Sequence, residues 1–86
     1  MEDLENILKN PLLTFDYINS RIWKDPNIPE IKKFISDTRE MINKAEDKKE
    51  KYMMLVTYMI SIRDHALGDG LQFLNNIILN LQKRYN

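Results

Sequence analysis

The single histidine, His65, is the first residue to consider for metal binding or acid–base chemistry. Asp64 lies beside it and Asp69 follows four residues later, so a carboxylate–imidazole group can be imagined. A zinc site, however, usually takes three or four ligands at recognisable spacings, and the sequence has no cysteine and no HExxH motif. A place at a helix carboxyl end, where an imidazolium interacts favourably with the helix dipole, explains His65 better.

Paired carboxylates and glycines are the other groups that could carry chemistry. The acidic pairs at 2–3 and 46–47 lie at the predicted starts of helices, where helix capping and the helix dipole account for them. The two glycines, Gly68 and Gly70, are too few for a phosphate-binding loop. We therefore predict no catalytic residue, no metal site and no cofactor, and a protein that is not an enzyme.

The strongest indication of binding lies in the last predicted helix, whose non-core positions are rich in amides. Asparagine is a poor helix former, and a merely solvated helix usually carries Glu and Lys instead. Amides both donate and accept hydrogen bonds, so this face suits a partner protein, although a plain polar face explains it equally well. The predicted partner-binding residues are Asn75, Asn76, Asn80, Lys83, Arg84 and Tyr85.

Three methionines, Met53, Met54 and Met59, permit an adaptable binding groove, because Met side chains repack around varied partners. Core filling is the favoured interpretation, since the same positions are needed to bury the helix that carries them.

That helix contains the most apolar stretch of the chain, YMMLVTYMISI at 52–62. Apolar residues also lie off its heptad seam, so more than one partner helix is expected. Its eleven residues rise only about 16 Å, too little to cross a bilayer core of roughly 30 Å. We expect almost complete burial of Leu55, Val56, Met59 and Ile62 against three other helices, with walls formed by Phe34 and Leu74. The heptad positions are Tyr52, Leu55, Met59, Ile62 and Ala66.

Helix-breaking residues divide the rest of the chain. Pro11, capped by Asn10, opens a helix that ends near Trp23 and follows a short helical turn at 2–9. KDPNIP at 24–29 predicts a turn, and Pro29 opens the next helix. The apolar stripes of the three outer helices are Leu12, Phe15, Ile18 and Ile22, then Ile31, Phe34, Ile35, Thr38, Met41, Ile42 and Ala45, and finally Leu71, Leu74, Ile78, Leu81 and Tyr85.

Capping signals set the remaining boundaries. Asp47 and Glu50 predict a capping box that starts the central helix near Lys48. Gly68 suits the end of that helix, and Asp69 suits the cap of the last one. Together these elements predict an all-α fold, an antiparallel up-down four-helix bundle whose first helix is preceded by a short N-terminal helical turn, in a single domain spanning 1–86.

Charge and the N-terminal sequence bear on partners and location. Thirteen basic and thirteen acidic residues cancel, so no global field favours nucleic acid, and no nucleic-acid partner is expected. The N-terminus MEDLENILKN is acidic where a signal peptide would be basic. We therefore expect a cytoplasmic protein without a transmembrane segment.

Four segments, IWKDPNIPEIKKFI, REMINKAED, YMMLVTYMISIRD and LQFLNNIILNLQKRY, follow one another in a recognisable layout. This layout, from Ile18 onward, resembles that of the immunity proteins of pediocin-like (class IIa) bacteriocins, small cytosolic four-helix bundles of Gram-positive bacteria. The resemblance implies protection of the producer cell at the inner membrane face, against a pore formed by the bacteriocin and its sugar-transporter receptor. It also implies that the C-terminal half, here the last helix and Tyr85, selects the bacteriocin. The alternative is a small helical interaction or regulatory module that binds another protein through a helix groove.

Overall fold

The computed structural model describes residues 4–65 and 69–85, except for the side chains of His65, Asp69, Leu71 and Tyr85. This part of the chain is helical and contains no strand, which confirms the predicted all-α class. Its elements are α1 (Leu4–Leu8), α2 (Pro11–Ile22), α3 (Pro29–Lys44), α4 (Lys48–Ile62), a 3₁₀ turn (Arg63–His65) and α5 (Asp69–Tyr85).

Local capping determines where α2 and α4 begin. The Asn10 carboxamide oxygen accepts hydrogen bonds from two backbone N–H groups of α2, at 3.0 and 3.2 Å, and Pro11 occupies the first helical position. The Asp47 carboxylate likewise accepts a hydrogen bond from the N–H of Glu50 at 2.7 Å. Each cap satisfies N–H groups that have no partner within the helix, as predicted for both sites.

The short helix α1 is joined to its neighbours by two buried hydroxyl groups. Thr14 of α2 donates to the carbonyl of Ile7 at 2.7 Å and approaches that of Asn10 at 2.9 Å. Tyr52 of α4 donates to the carbonyl of Leu8. The carbonyls of Ile7 and Leu8 belong to the last turn of α1, so these hydroxyls fix the end of α1 against α2 and α4.

Helix α4 lies at the centre and packs against α2, α3 and α5. Leu55 and Met59 are completely buried, and Ile62 nearly so, as predicted. Val56 is only partly buried, contrary to expectation, because it follows Leu55 by about 100° around the helix and lies at the edge of the buried arc. The other helices contribute to the buried cluster Leu8, Phe15, Ile18, Ile22, Ile42, Leu74, Ile77, Ile78 and Leu81.

Helix α3 is peripheral, and its predicted role as a core wall is wrong in part. It buries only Ile42 fully, whereas Phe34 is 44% exposed and Met41 is 59% exposed. Its main contacts are with α2 and α4. A helix with two neighbours buries a narrower arc than its apolar stripe spans, so the remainder of the stripe faces outward.

Polar contacts position α3 against the two neighbouring helices. The Lys51 ammonium of α4 donates to the carbonyls of Ile42 and Asn43, at 3.0 and 2.7 Å, at the carboxyl end of α3. There it satisfies free carbonyls and complements the helix dipole. Arg39 forms a two-pronged ion pair with Asp16 of α2, with both distances 3.0 Å. Because this pair is exposed, we expect it to orient α3 more than to stabilise it.

The carboxyl end of α4 differs from the predicted boundary. The α-helix ends at Ile62 and continues as the 3₁₀ turn, a tightening that is common at helix ends. The predicted seam residue Ala66 and the predicted cap Gly68 lie outside the described residues.

Truncating the central core residues is expected to cost far more stability than truncating Phe34. Leu55→Ala and Leu74→Ala each remove a completely buried side chain, so each should lower the free energy of unfolding by about 2–5 kcal/mol. Phe34→Ala should cost less, because its side chain is 44% exposed. Lys33→Ala, at an exposed ion pair, serves as the control and should be nearly silent. Urea unfolding measures all four, and a near-silent Leu55→Ala would show that α4 is not central.

Candidate functional site

The outward side of α5 carries three of the predicted partner-binding residues. Asn76, Asn80 and Lys83 are all exposed, and Leu79 lies among them at 57% exposure. Asn76 and Asn80 are one helical turn apart, and the Asn80 amide donates to the Asn76 carbonyl at 3.0 Å. We call this surface, made of Asn76, Leu79, Asn80 and Lys83, the α5 face.

Two other predicted residues are engaged within the protein. Asn75 is partly buried, and its carboxamide oxygen accepts a hydrogen bond from Arg63 at 3.1 Å, which links α5 to the end of α4. Arg84 pairs with Glu5 of α1 and, through that hydrogen bond and its charge, lowers the pKa of the Glu5 carboxyl. These contacts give Asn75 and Arg84 structural roles. The side chain of Tyr85 lies outside the described residues, and the binding role of the six stays a prediction.

A second surface is an apolar groove of about 560 Å³ between α3 and α4, which we call the α3–α4 groove. Its most exposed apolar side chains are Met41 and Met53, each 59% exposed, and Phe34. Glu50 is the charged residue among those that line it. The lining residues are Phe34, Thr38 and Met41 of α3 and Glu50, Met53, Met54, Thr57, Tyr58 and Ser61 of α4.

Tyr58 forms the floor of this groove and joins it to the core. Its ring lies 5.4 Å from the ring of Phe34 and 4.9 Å from that of Phe15, centroid to centroid. Its hydroxyl donates to the carboxamide oxygen of Asn19 at 2.5 Å. The same oxygen accepts from the indole N–H of Trp23 at 2.8 Å, and the Asn19 amide donates to the carbonyl of Phe15 at 2.9 Å.

This environment makes ionisation of Tyr58 unfavourable. Burial raises the pKa of Tyr58 to about 12, because a phenolate would have to form away from water. Deprotonation would also place the phenolate against the carboxamide oxygen of Asn19, an acceptor that requires the hydroxyl proton. At neutral pH the hydroxyl therefore remains a donor and the floor of the groove stays uncharged.

The favoured prediction of core filling is correct for Met59 and wrong for Met53. Met59 fills the core as predicted, whereas Met53 projects into the α3–α4 groove and Met54 lines it while packing on the core. The signal for this outcome was present, since Met53 and Met54 lie off the heptad seam. The contributions of Phe34 and Met41 to the groove were missed, because their spacing on α3 is also that of a core stripe.

Among the residues that the structure describes, no group of three or more His, Cys, Asp or Glu side chains is placed to hold a metal ion. Within the same residues, no helix combines the length and the apolar composition needed to cross a bilayer. Comparisons with protein-family models, with curated protein sequences and with solved structures give no match to this chain. The resemblance to the immunity proteins of pediocin-like bacteriocins thus depends on the segments quoted for it.

Tyr58→Phe is expected to change how stability depends on alkaline pH. The folded protein holds the Tyr58 proton more tightly than the unfolded chain, whose tyrosines titrate near pH 10. The free energy of unfolding should therefore fall as the pH rises from about 10 to about 12, a loss that Tyr58→Phe removes. Below about pH 10 the hydroxyl is neutral in the folded and unfolded states, so it adds nothing to the pH dependence of the free energy of unfolding.

Urea unfolding at a series of pH values tests this expectation, with Tyr17→Phe as the control for removing a tyrosine hydroxyl elsewhere. If the free energy of unfolding falls equally with rising alkaline pH in the parent and in Tyr58→Phe, the assigned burial of this hydroxyl is contradicted.

Proposed function

We propose that the protein is a non-enzymatic bacteriocin immunity protein. In this role it protects a producing cell from a pore-forming pediocin-like bacteriocin by binding at the cytosolic face of the sugar-transporter receptor complex. The protein is cytoplasmic and attaches to the inner membrane face through protein contacts.

The helix contacts support the bundle that this function requires. The packing of α4 against α2, α3 and α5 agrees with a four-helix bundle preceded by the short α1. Lys51, near the start of α4, contacts the carboxyl end of α3, and Ser61, near the end of α4, lines a cavity together with Glu30 at the start of α3. Both contacts support an antiparallel course for α3 and α4.

The observation that carries the proposal is the α5 face. Its side chains lie outside the buried stripe of α5, so packing does not require amides at Asn76 and Asn80. Two exposed amides one turn apart, beside an exposed leucine and a lysine, provide donors, acceptors and an apolar contact in one patch. This is the type of surface that recognises a protein, and it lies in the C-terminal half that the resemblance assigns to recognition.

The second candidate function is a helical interaction or regulatory module, and the α3–α4 groove favours it. Amphipathic helices bind in apolar grooves between helices, and exposed methionines adapt to different partners. The two functions predict different phenotypes when the chain is expressed in a bacteriocin-sensitive Gram-positive strain. Survival against at least one member of a panel of pediocin-like peptides is expected for an immunity protein, whereas unchanged killing across the panel would favour the module.

Replacing the two exposed asparagines should separate recognition from folding. Asn76→Ala with Asn80→Ala should raise helix propensity and stabilise the fold by a few tenths of a kcal/mol per site. Protection should nevertheless fall, because the amides are lost from the α5 face. Asn6→Ala, which changes an exposed asparagine of α1, is the matched control and should protect like the parent.

Thermal unfolding and survival are measured on the same variants. If the double variant folds normally and protects as well as the parent, recognition does not reside on the α5 face.

A further inference from the structure

We propose that the α3–α4 groove binds an amphipathic helix of a partner protein, one with an apolar face and a basic residue near each end of that face. This site goes beyond the immunity function and does not depend on it, since it lies on helices other than α5.

The apolar character of the groove is the first argument. Met41, Met53 and Phe34 line it, with 59%, 59% and 44% of their surfaces exposed. Contiguous exposed apolar surface on a small protein marks an interaction site. A groove between two adjacent helices suits a third helix. Its methionine side chains can repack around the residues that enter.

The groove continues beyond Ser61, which gives it the length of a docked helix. A second cavity of about 320 Å³ shares Phe34 and Ser61 with the groove and is also lined by Trp23, Glu30 and Ile31. The continuous track therefore runs from Glu50 at one end to Glu30 at the other. On α4, Ser61 follows Glu50 by eleven positions, a rise of about 16 Å, which equals three turns of a partner helix.

The charges at the two ends of the groove indicate the sign of the charge expected on the partner helix. Glu50 and Glu30 are the charged residues that line the two cavities, and both are acidic. Within the described residues neither takes part in an ion pair, whereas Asp37 and Glu40 of α3 are paired with lysines one turn away, at 3.1 and 3.0 Å. Glu30 and Glu50 lie in the first turns of α3 and α4, where the helix dipole favours a negatively charged carboxylate.

The same charges argue against a second copy of this groove as the occupant. A two-fold axis through the centre of the groove would bring Glu30 of one copy beside Glu50 of the other at both ends. Two like-charged contacts around an apolar centre oppose such pairing. A helix with lysine or arginine about eleven residues apart, and Leu, Ile, Phe or Met between them on one face, complements both ends and the centre.

A designed peptide tests this assignment without knowledge of the natural partner. The probe is a synthetic helix of about 18 residues with a Leu and Phe stripe and a lysine at each end, spaced to match the three turns between Glu50 and Glu30. A second peptide carries glutamate at the two lysine positions. NMR titration of the isotope-labelled protein should show the basic peptide shifting amide signals of 50–61 and 30–41, and binding about tenfold more tightly than the acidic one at low salt.

Variants of the protein separate the groove from other surfaces. Glu30→Gln with Glu50→Gln should remove the preference for the basic peptide, and Met53→Gln should weaken its binding by about tenfold. Leu79→Gln is the matched control, since Leu79 on α5 is 57% exposed against 59% for Met53, and it should bind like the parent.

Three kinds of result would overturn the proposal. One is a failure of the peptide preference, either because the basic and acidic peptides bind equally or because neither binds. Another is a greater effect of Leu79→Gln than of Met53→Gln. The third is self-association of the protein, detected by sedimentation, that Met53→Gln abolishes, because the groove would then be occupied by a second copy.

Discussion

The carboxamide of Asn19 is the contact on which the arrangement of α2, α3 and α4 depends. It is a buried polar group of α2, and its oxygen accepts from both Tyr58 and Trp23 while its amide donates to the carbonyl of Phe15. A buried donor left without its acceptor costs roughly 1–3 kcal/mol. A shift of α4 along α2 that breaks this bond would leave the Tyr58 hydroxyl in that state, so the contact restricts their relative position more strictly than apolar packing alone.

The position of Tyr58 has consequences on both sides of the core. Its hydroxyl donates to Asn19 of α2, and its ring contacts both Phe15 of α2 and Phe34 of α3. Helix α3 therefore contacts the core through this ring and remains peripheral. The apolar stripe of α3 is then wider than its buried arc, and the α3–α4 groove results. Helix α5 packs on α4 elsewhere and exposes its own outer face. The two candidate binding surfaces are thus consequences of one core arrangement.

Local signals made much of the fold predictable. The cap at Asn10, the start at Pro11 and the cap at Asp47 depend on neighbouring residues alone, and the buried positions of α2 and α4 follow helical spacing. Periodicity identifies the inward face of a helix but not how many neighbours cover it, so the sequence predicts core positions for Phe34, Met41 and Met53, which the structure exposes. The contacts of Asn75 with Arg63 and of Arg84 with Glu5 join separate helices, so they had no local signal. The contact of Asn19 with Tyr58 likewise joins separate helices and had no local signal.

A double-mutant cycle on Asn19 and Tyr58 measures directly whether this contact joins α2 to α4. Asn19→Leu, Tyr58→Phe and the double variant are compared with the parent by urea unfolding near neutral pH. We predict that Asn19→Leu is less destabilising when Tyr58→Phe is also present, with a coupling free energy of about 1–2 kcal/mol. Additivity of the two single effects to within about 0.3–0.5 kcal/mol would contradict the central place given to this hydrogen bond.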